Sequence, residues 1–299
     1  MRVFVTGASG WIGSAVVSEL LKSGHQVLGL ARSDTAAAAV AALGAEVYRG
    51  SLDDLDSLRA GSAASEGVVH LGYNHDFSRI EQAARTDLQA INAIGAILEG
   101  TDRPLVIASG VLGLAPGRLA TERDVPDPSL HPRIASAQAA LALATRGVRC
   151  SIVRFAPTVH GAGDHGFMAT LVGIAADKGV SGYIDAGTNR WPAVHRLDAG
   201  NLVRRAVDDA PAGTVLHAVA EEGVPTRAIA EAIGRGLNVP VVSVPAEQAS
   251  DHFGWFARFF GTDSRASNEL TRELVGWEPT HPTLIADLQE GHYFESSSR

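Results

Sequence analysis

The sequence predicts an α/β fold with a doubly wound parallel sheet. Three observations predict it. Short apolar runs alternate with segments of helical period through the first half. The runs are apolar throughout, as strands covered by helices on both faces must be. A glycine-rich turn joins the first run directly to the first helical segment.

In order, Arg2–Val5 reads as a short strand, and Ile12–Ser23 carries Ile12, Val16 and Leu20 at helical spacing before stopping near Gly24. Gln26–Ala31 is a second buried strand. Asp34–Leu43 is an alanine-rich helix closed by Gly44, and Glu46–Tyr48 is a third strand. Asp53–Ala60 is a short helix, Val68–Leu71 a strand, Ser78–Glu99 a long helix and Leu105–Ala108 a strand. Pro132–Arg146 is helical, and Ser151–Phe155 returns to strand.

Beyond Phe155 the composition changes. Pro157–Gly166 and Gly187–Pro192 read as loops, Asp198–Asp208 as helix and Val215–Val219 as strand. Thr226–Leu237 is a helix before the strand Val239–Val244, and Leu284–Glu290 is a last helix after Pro279–Pro282. Loops mixed with short elements suit a substrate-holding portion built onto a sheet. There is no internal repeat.

Composition narrows the function classes. The 299 residues are 45% hydrophobic and 19% charged, enough apolar material for a sizeable core. With 33 acidic against 25 basic side chains, the net charge of −8 lacks the basic footprint of a nucleic-acid binder. A single cysteine, Cys150, excludes a disulfide framework and any multi-cysteine metal centre. No run is long and apolar enough to span a membrane, and the first residues run into glycines rather than a secretory h-region. A cytoplasmic setting is the expectation, with a small-molecule substrate and neither nucleic acid nor membrane as partner.

Thr6-Gly7-Ala8-Ser9-Gly10-Trp11-Ile12-Gly13 fits a dinucleotide-binding turn. Gly7 permits the tight turn, Gly10 lets a pyrophosphate approach the backbone, and Gly13 lets helix and strand pack closely. The helix N-terminus then offers free N–H groups and a positive dipole end. Where an NAD site places a carboxylate for the ribose hydroxyl, this chain has Ala31 followed by Arg32 and Ser33. A guanidinium and a hydroxyl suit a 2′-phosphate, so the expected cofactor is NADP. Asp34 is expected to cap the alanine-rich helix.

These residues resemble the extended and atypical short-chain dehydrogenase/reductase superfamily, which includes the NAD(P)-dependent epimerases and dehydratases. Gly50-Ser51-Leu52-Asp53 is similar to the adenine-side segment and Val69-His70-Leu71-Gly72 to the strand-four turn. Val106-Ile107-Ala108-Ser109 is similar to the strand ending in the active-site serine. Val153–Pro157 with Val159-His160-Gly161 resembles the stretch beside the nicotinamide, and Val194–Asp198 and Gly276–Pro279 resemble two later segments.

The resemblance implies a Rossmann-type NADP-binding domain over 1–156, with 193–220 returning to it. A smaller substrate-binding portion is implied over 157–192 and 221–299, together with a homodimer. Beyond Gly7, Gly10, Gly13, Arg32 and Ser33, the implied cofactor contacts are Ser9, Trp11, Ile12, Ser51, Leu52, Leu71, Gly72, Ser109 and Pro157.

One departure matters. The family's catalytic tyrosine has a lysine four residues on, but residues 52, 77, 187 and 297, four beyond the tyrosines, are Leu52, Phe77, Gly187 and Ser297. Lys22 and Lys178 are the only lysines, and neither follows a tyrosine at that spacing. By position Ser129 stands for the tyrosine and Arg133 for the lysine. Arginine stays charged and can hold a ribose, but serine is no phenolic acid.

The catalytic candidates are therefore Ser109 at its strand end, Asp87 in place of the family's asparagine, Tyr73 as a substitute phenol, and Arg133. His75 and Asp76 follow Tyr73. His160, Asp164 and His165 are too cramped for a tetrahedral metal centre, and no metal is expected. His131 reads as a helix cap rather than a substrate contact, and Trp255, Phe256, Phe259 and Phe260 as core or dimer contact, with a substrate-pocket wall as the alternative. No Gly-x-Ser-x-Gly elbow exists, which excludes the usual serine-hydrolase arrangement. The expected function is an NADP(H)-dependent oxidoreductase acting on a small carbonyl or hydroxy compound, with epimerisation of a nucleotide-sugar as a variant. The alternative is a non-catalytic NADP-binding sensor that has lost its acid/base pair.

Overall fold

The computed structural model describes residues 1–76, 79–127 and 132–295. Seven parallel strands form its central sheet: β1 (Arg2–Thr6), β2 (Gln26–Ala31), β3 (Glu46–Arg49), β4 (Gly67–His70), β5 (Pro104–Gly110), β6 (Arg149–Phe155) and β7 (Thr214–Ala218). Their order across the sheet is β7-β6-β5-β4-β1-β2-β3. Strand order reverses between β1 and β4, and ligands of open α/β sheets bind at such a reversal, outside the carboxyl ends of the strands. The register Thr6↔His70 puts both strand ends there side by side.

Helices cover both faces. On one lie α1 (Trp11–Lys22), α2 (Asp34–Ala42) and a long helix over Arg196–Asp209, through Val16, Val17, Leu20, Val40, Leu202 and Val203. A Cβ on Gly200 would stand 3.0 Å from the Ala15 backbone, so α1 and that helix meet across a glycine. The other face carries α3 (Leu55–Ala63), α4 (Ile80–Leu98) and α5 (Ile134–Ala142), whose Leu58, Ile91, Ile94 and Ala140 are buried against Phe4, Leu105 and Ile152. Strands buried on both sides explain the unbroken apolar runs.

A separate aromatic core holds the remaining elements. It gathers Met168, Leu171, Val172, Trp191, Phe253, Phe256 and Phe260 with Ile229, Ile233 and Leu288. A three-stranded sheet of Thr158–His160, Arg190–His195 and Glu221–Pro225 lies between this core and the rest.

Several boundaries differ from the sequence reading. The long helix starts at Ile80, Ser78 lying outside the described residues. The short helix runs Leu55–Ala63 because Asp54 caps it, its side chain accepting from Ser57 N. The Pro132–Arg146 helix is a turn, then Ile134–Ala142, then a 3-10 segment Leu143–Arg146 ended by Gly147 in the left-handed region. Phe167–Lys178 is a helix and Thr158–His160 and Arg190–His195 are strands where none was expected, and the Val239–Val244 strand shortens to Val241–Val244. Asp34 is not the cap of α2. Ser33 is, its hydroxyl accepting from Ala36 N at 3.2 Å, while Asp34 accepts from Arg49 at 2.6 Å. No described helix is long and apolar enough to cross a membrane.

Candidate active site

The glycine turn is built as a cradle. Gly7 has φ +70°, and a Cβ there would lie 2.8 Å from Gly72 N. A Cβ on Gly13 would lie 1.9 Å from Gly7 O, so helix and turn are in backbone contact. Gly10 accepts the first helical bond, from Ser14 N, and donates to Gly7 O at 2.9 Å. No side chain caps α1, so its first N–H groups stay available to a diphosphate. Ser9 and Gly10 are exposed and Trp11 and Ile12 half-buried. The residues present fit a dinucleotide.

Other expected cofactor contacts border the same edge. A Cβ on Gly72 would meet Leu52 Cδ2 and Thr6 Oγ1, both at 3.1 Å, which places Leu52 beside the turn after β4. Leu71 donates its N–H to Thr6 O at 3.2 Å. Ser51 O accepts from Ser57 Oγ at 3.4 Å, which anchors the segment to α3. Arg32 is exposed at the end of β2, where Ala31 pairs with Arg49 on β3. Pro157 follows β6, half-buried.

The catalytic candidates Asp87, Tyr73 and Arg133 come together. Arg133 Nε stands 3.6 Å from Asp87 Oδ2, and its guanidinium carbon lies 3.9 Å from the centroid of the Tyr73 ring. Asp87 Oδ1 faces His70 Nε2 at 3.3 Å, and His70 Nδ1 meets Thr6 Oγ1 at 2.9 Å. Thr6 Oγ1 also accepts from Gly72 N at 3.1 Å. One tautomer satisfies the chain: Thr6 donates its O–H to Nδ1, and Nε2–H donates to Asp87. Burial pushes the Asp87 carboxyl up, but the His70 hydrogen bond and the charge of Arg133 outweigh it, and it ends below the usual carboxylate range. Asp87 is 2% exposed, no ordinary surface charge.

Burial raises the Tyr73 phenol above its ordinary value, against the opposing pull of Arg133. Its ring sits edge-on to His75 at 5.2 Å. Ser109, half-buried, is the penultimate residue of β5, in register with Arg154 of β6. Ser129 and His131 lie outside the described residues.

His70 and Thr6 were not singled out as members of the site. The available signal was a histidine ending an apolar strand beside the glycine turn. Arg196 is a second addition. It donates to Ser14 Oγ at 2.9 Å and lies over the Trp11 ring at 4.1 Å, while Trp11 Nε1 donates to Val159 O at 2.8 Å. The strand Thr158–His160 and the start of the Arg196–Asp209 helix are thereby tied to the first turns of α1.

His160, Asp164 and His165 diverge. His160 Nδ1 meets Asp287 Oδ2 at 2.9 Å, Asp164 accepts from Gly166 N and from the Tyr293 hydroxyl at 2.6 and 3.0 Å, and His165 packs edge-on against Trp11. The segments around Asp198 and Trp277 join each other instead of the site. Trp277 Nε1 donates to Asp198 O, and the Asp198 carboxylate accepts from Thr280 N and His281 N, each at 3.0 Å.

A parallel sheet with a glycine cradle at its switch point defines an α/β protein of the dinucleotide-binding kind. The model of the NAD dependent epimerase/dehydratase family matches residues 3–111. An uncharacterized protein of Schizosaccharomyces pombe is 48% identical over 98% of this chain and 100% of its own length. A 3-diazoavenalumate denitrifying reductase of a Streptomyces species is 29% identical over 95% of this chain and 97% of its own. The crystal structure of a dTDP-glucose 4,6-dehydratase from Streptomyces venezuelae, with NAD bound, has a TM-score of 0.78 at 18% identity, covering 100% of this chain and 98% of that one. This chain belongs to the NAD dependent epimerase/dehydratase family.

Proposed function

We propose that this protein is an NADP(H)-dependent oxidoreductase that reduces a small carbonyl compound. The observation that carries the reading is the stack of Arg133 on Tyr73, pinned from behind by buried Asp87. It supplies a cation and a phenol at the reversal of strand order, where the family's lysine and tyrosine are missing. One relative carries the name of a reductase.

Bound in the cradle, NADPH supplies a hydride. Arg32 and Ser33 hold the 2′-phosphate, and the first turn of α1 holds the diphosphate. Ser109 donates a hydrogen bond to the substrate oxygen, and Tyr73 gives the proton that turns it into a hydroxyl. A phenol kept protonated by burial suits proton donation, hence reduction, better than proton abstraction. Arg133 cannot give up its proton and acts by holding the ribose and orienting Tyr73.

The test mixes the purified protein with NADPH and a panel of aldehydes and ketones, following loss of reduced-nicotinamide absorbance. Turnover that falls at least about 100-fold in Tyr73→Phe and Ser109→Ala, with NADPH affinity kept, supports the reading. Tight NADPH binding without turnover on any carbonyl overturns it in favour of a sensor.

A further inference from the structure

We propose that the substrate carries a flat apolar or aromatic group, held against Leu112, Phe167, Trp255 and Phe259, and is not a nucleotide diphosphate. The chemistry at the carbonyl rests on the function proposed above; the wall itself does not.

The aromatic core has a back and a front. Trp191, Phe256 and Phe260 are at most 1% exposed and form the back. Trp191 Nε1 donates to Thr262 O at 3.1 Å, which fixes its ring. Phe167 sits in front of them, 5.0 Å from Phe256 and 5.7 Å from Phe259, nearly perpendicular to the first. Trp255 lies edge-on to Phe256 and to Phe259 yet is 53% exposed. An indole held rigidly by edge-to-face contacts with half its surface in water leaves apolar area for a ligand to cover, worth about 25 cal/mol per Å².

Two connections set this front beside the reaction site. Ser264 Oγ donates to Val111 O at 3.3 Å and accepts from Gly113 N at 3.4 Å, fastening the aromatic segment to the chain as it leaves Ser109. Leu112, between those two residues, packs on the same aromatic core. On the other flank, His165 touches the Trp11 ring of the glycine turn at 5.6 Å, and Phe167 follows two residues later. The wall therefore spans from the end of β5 to the cofactor cradle.

Charge argues against a diphosphate on this face. Recognition of one calls for guanidinium forks aimed at the oxygens. Here Arg190, next to Trp191, and Arg265, next to Ser264, are ion-paired with Asp263 and Glu222 at 2.9 and 3.3 Å. Arg258, next to Phe259, lies over its ring at 5.2 Å and widens the flat surface.

The experiment has a binding arm and a kinetic arm on the full chain with NADPH. Calorimetry compares benzamide, an unreactive aromatic probe, with uridine diphosphate. Kinetics compare benzaldehyde with glyceraldehyde in the native protein, Trp255→Ala and Trp255→Phe. The expected result is binding of benzamide but not of uridine diphosphate, and a KM for benzaldehyde raised about 10-fold in Trp255→Ala at nearly constant kcat. Glyceraldehyde is unaffected, and Trp255→Phe restores benzaldehyde. Benzamide binding that Trp255→Ala abolishes, with no aldehyde reduced, upholds the wall and fails the oxidoreductase reading. Reduction of both aldehydes with equal efficiency, or binding of uridine diphosphate in place of benzamide, overturns the wall and leaves that reading standing.

Discussion

Asp87 and His70 face each other at the carboxyl edge of the sheet, Oδ1 to Nε2 at 3.3 Å, both side chains at most 2% exposed. His70 ends β4 and Asp87 lies on α4, so the contact ties a sheet strand to a covering helix. Through Thr6 on one side and Arg133 on the other, it joins the base of the glycine turn to the Tyr73 ring. Cofactor cradle and candidate acid thus share one scaffold of hydrogen bonds, an ion pair and a cation–π stack.

Removing Asp87 leaves Arg133 without its buried counter-charge and His70 without an acceptor. Loss of one partner from such a buried pair typically costs about 3–5 kcal/mol. Asp87→Ala should lose that much stability in urea denaturation, while Asp87→Asn, which keeps an acceptor for His70, should lose roughly 1–2 kcal/mol. In both, turnover should fall further than NADPH affinity. An Asp87→Ala protein within about 1 kcal/mol of the native one would show that the array does not hold the site together.

Acidification should destabilise the protein through two buried histidines. Burial pushes the His195 and His217 rings down to about 4. His217 is buried between Ser267 O, which accepts from Nδ1, and the Arg154 guanidinium facing Nε2. A folded-state value below the unfolded ~6.5 means the unfolded chain binds the proton first, so stability is lost as pH falls through that window. At pH 5 the loss is about 2 kcal/mol for each ring on that arithmetic. Urea midpoints at pH 7 and pH 5 measure it. His217→Gln should flatten the pH dependence, and a midpoint unchanged between the two pH values would contradict the neutral burial of these rings.

The cradle was legible because its demands are local. Gly7, Gly10 and Gly13 are set by backbone conformation and contact within a few residues, and the apolar strands announce two covered faces. The meeting of Arg133 with Tyr73 and Asp87 was not, since it depends on how α5 docks across β5 and α4. The Arg190–His195 strand was hidden for another reason. Pro192 falls within it, which ordinarily argues against a strand, but the register with Glu221–Pro225 shifts between Trp191 and Ala193 and the irregularity takes the proline. Phe167–Lys178 did carry a helical signal in Met168, Leu171, Val172 and Ala175, the residues it buries.

Cofactor choice is testable at Arg32. The side chain is exposed at the end of β2, and the Arg49 guanidinium on the neighbouring strand binds Asp34. If Arg32 holds a 2′-phosphate, Arg32→Glu replaces a charge-assisted contact with repulsion, a change of roughly 2–3 kcal/mol. NADPH affinity measured by calorimetry should drop about 30- to 100-fold, and NADH affinity should hold or rise, because a carboxylate can accept from the ribose hydroxyl. Unchanged preference for NADPH would move the recognition of the phosphate away from this residue.

Gly13 makes the sharpest demand of the turn. A methyl group there would overlap Gly7 O at 1.9 Å and Gly7 C at 2.8 Å, and both are backbone atoms that no side-chain rotation can clear. Gly13→Ala must therefore displace the start of α1 from the turn, and strain of this kind costs about 1–3 kcal/mol or more. The displacement also moves the free N–H groups at the start of α1 that would face a diphosphate, so dinucleotide affinity should fall at least about 10-fold, beyond what the stability loss alone produces. Gly24→Ala is the control. Gly24 has a left-handed φ, +82°, unlike Gly13, but nothing lies within 4 Å of its Cβ position, so it incurs a conformational cost without the collision. Calorimetric binding of NADPH should separate the two variants at temperatures where both are folded. Equal affinities would mean that helix and turn can part without loss of the cradle, and that the close approach at Gly13 serves packing alone.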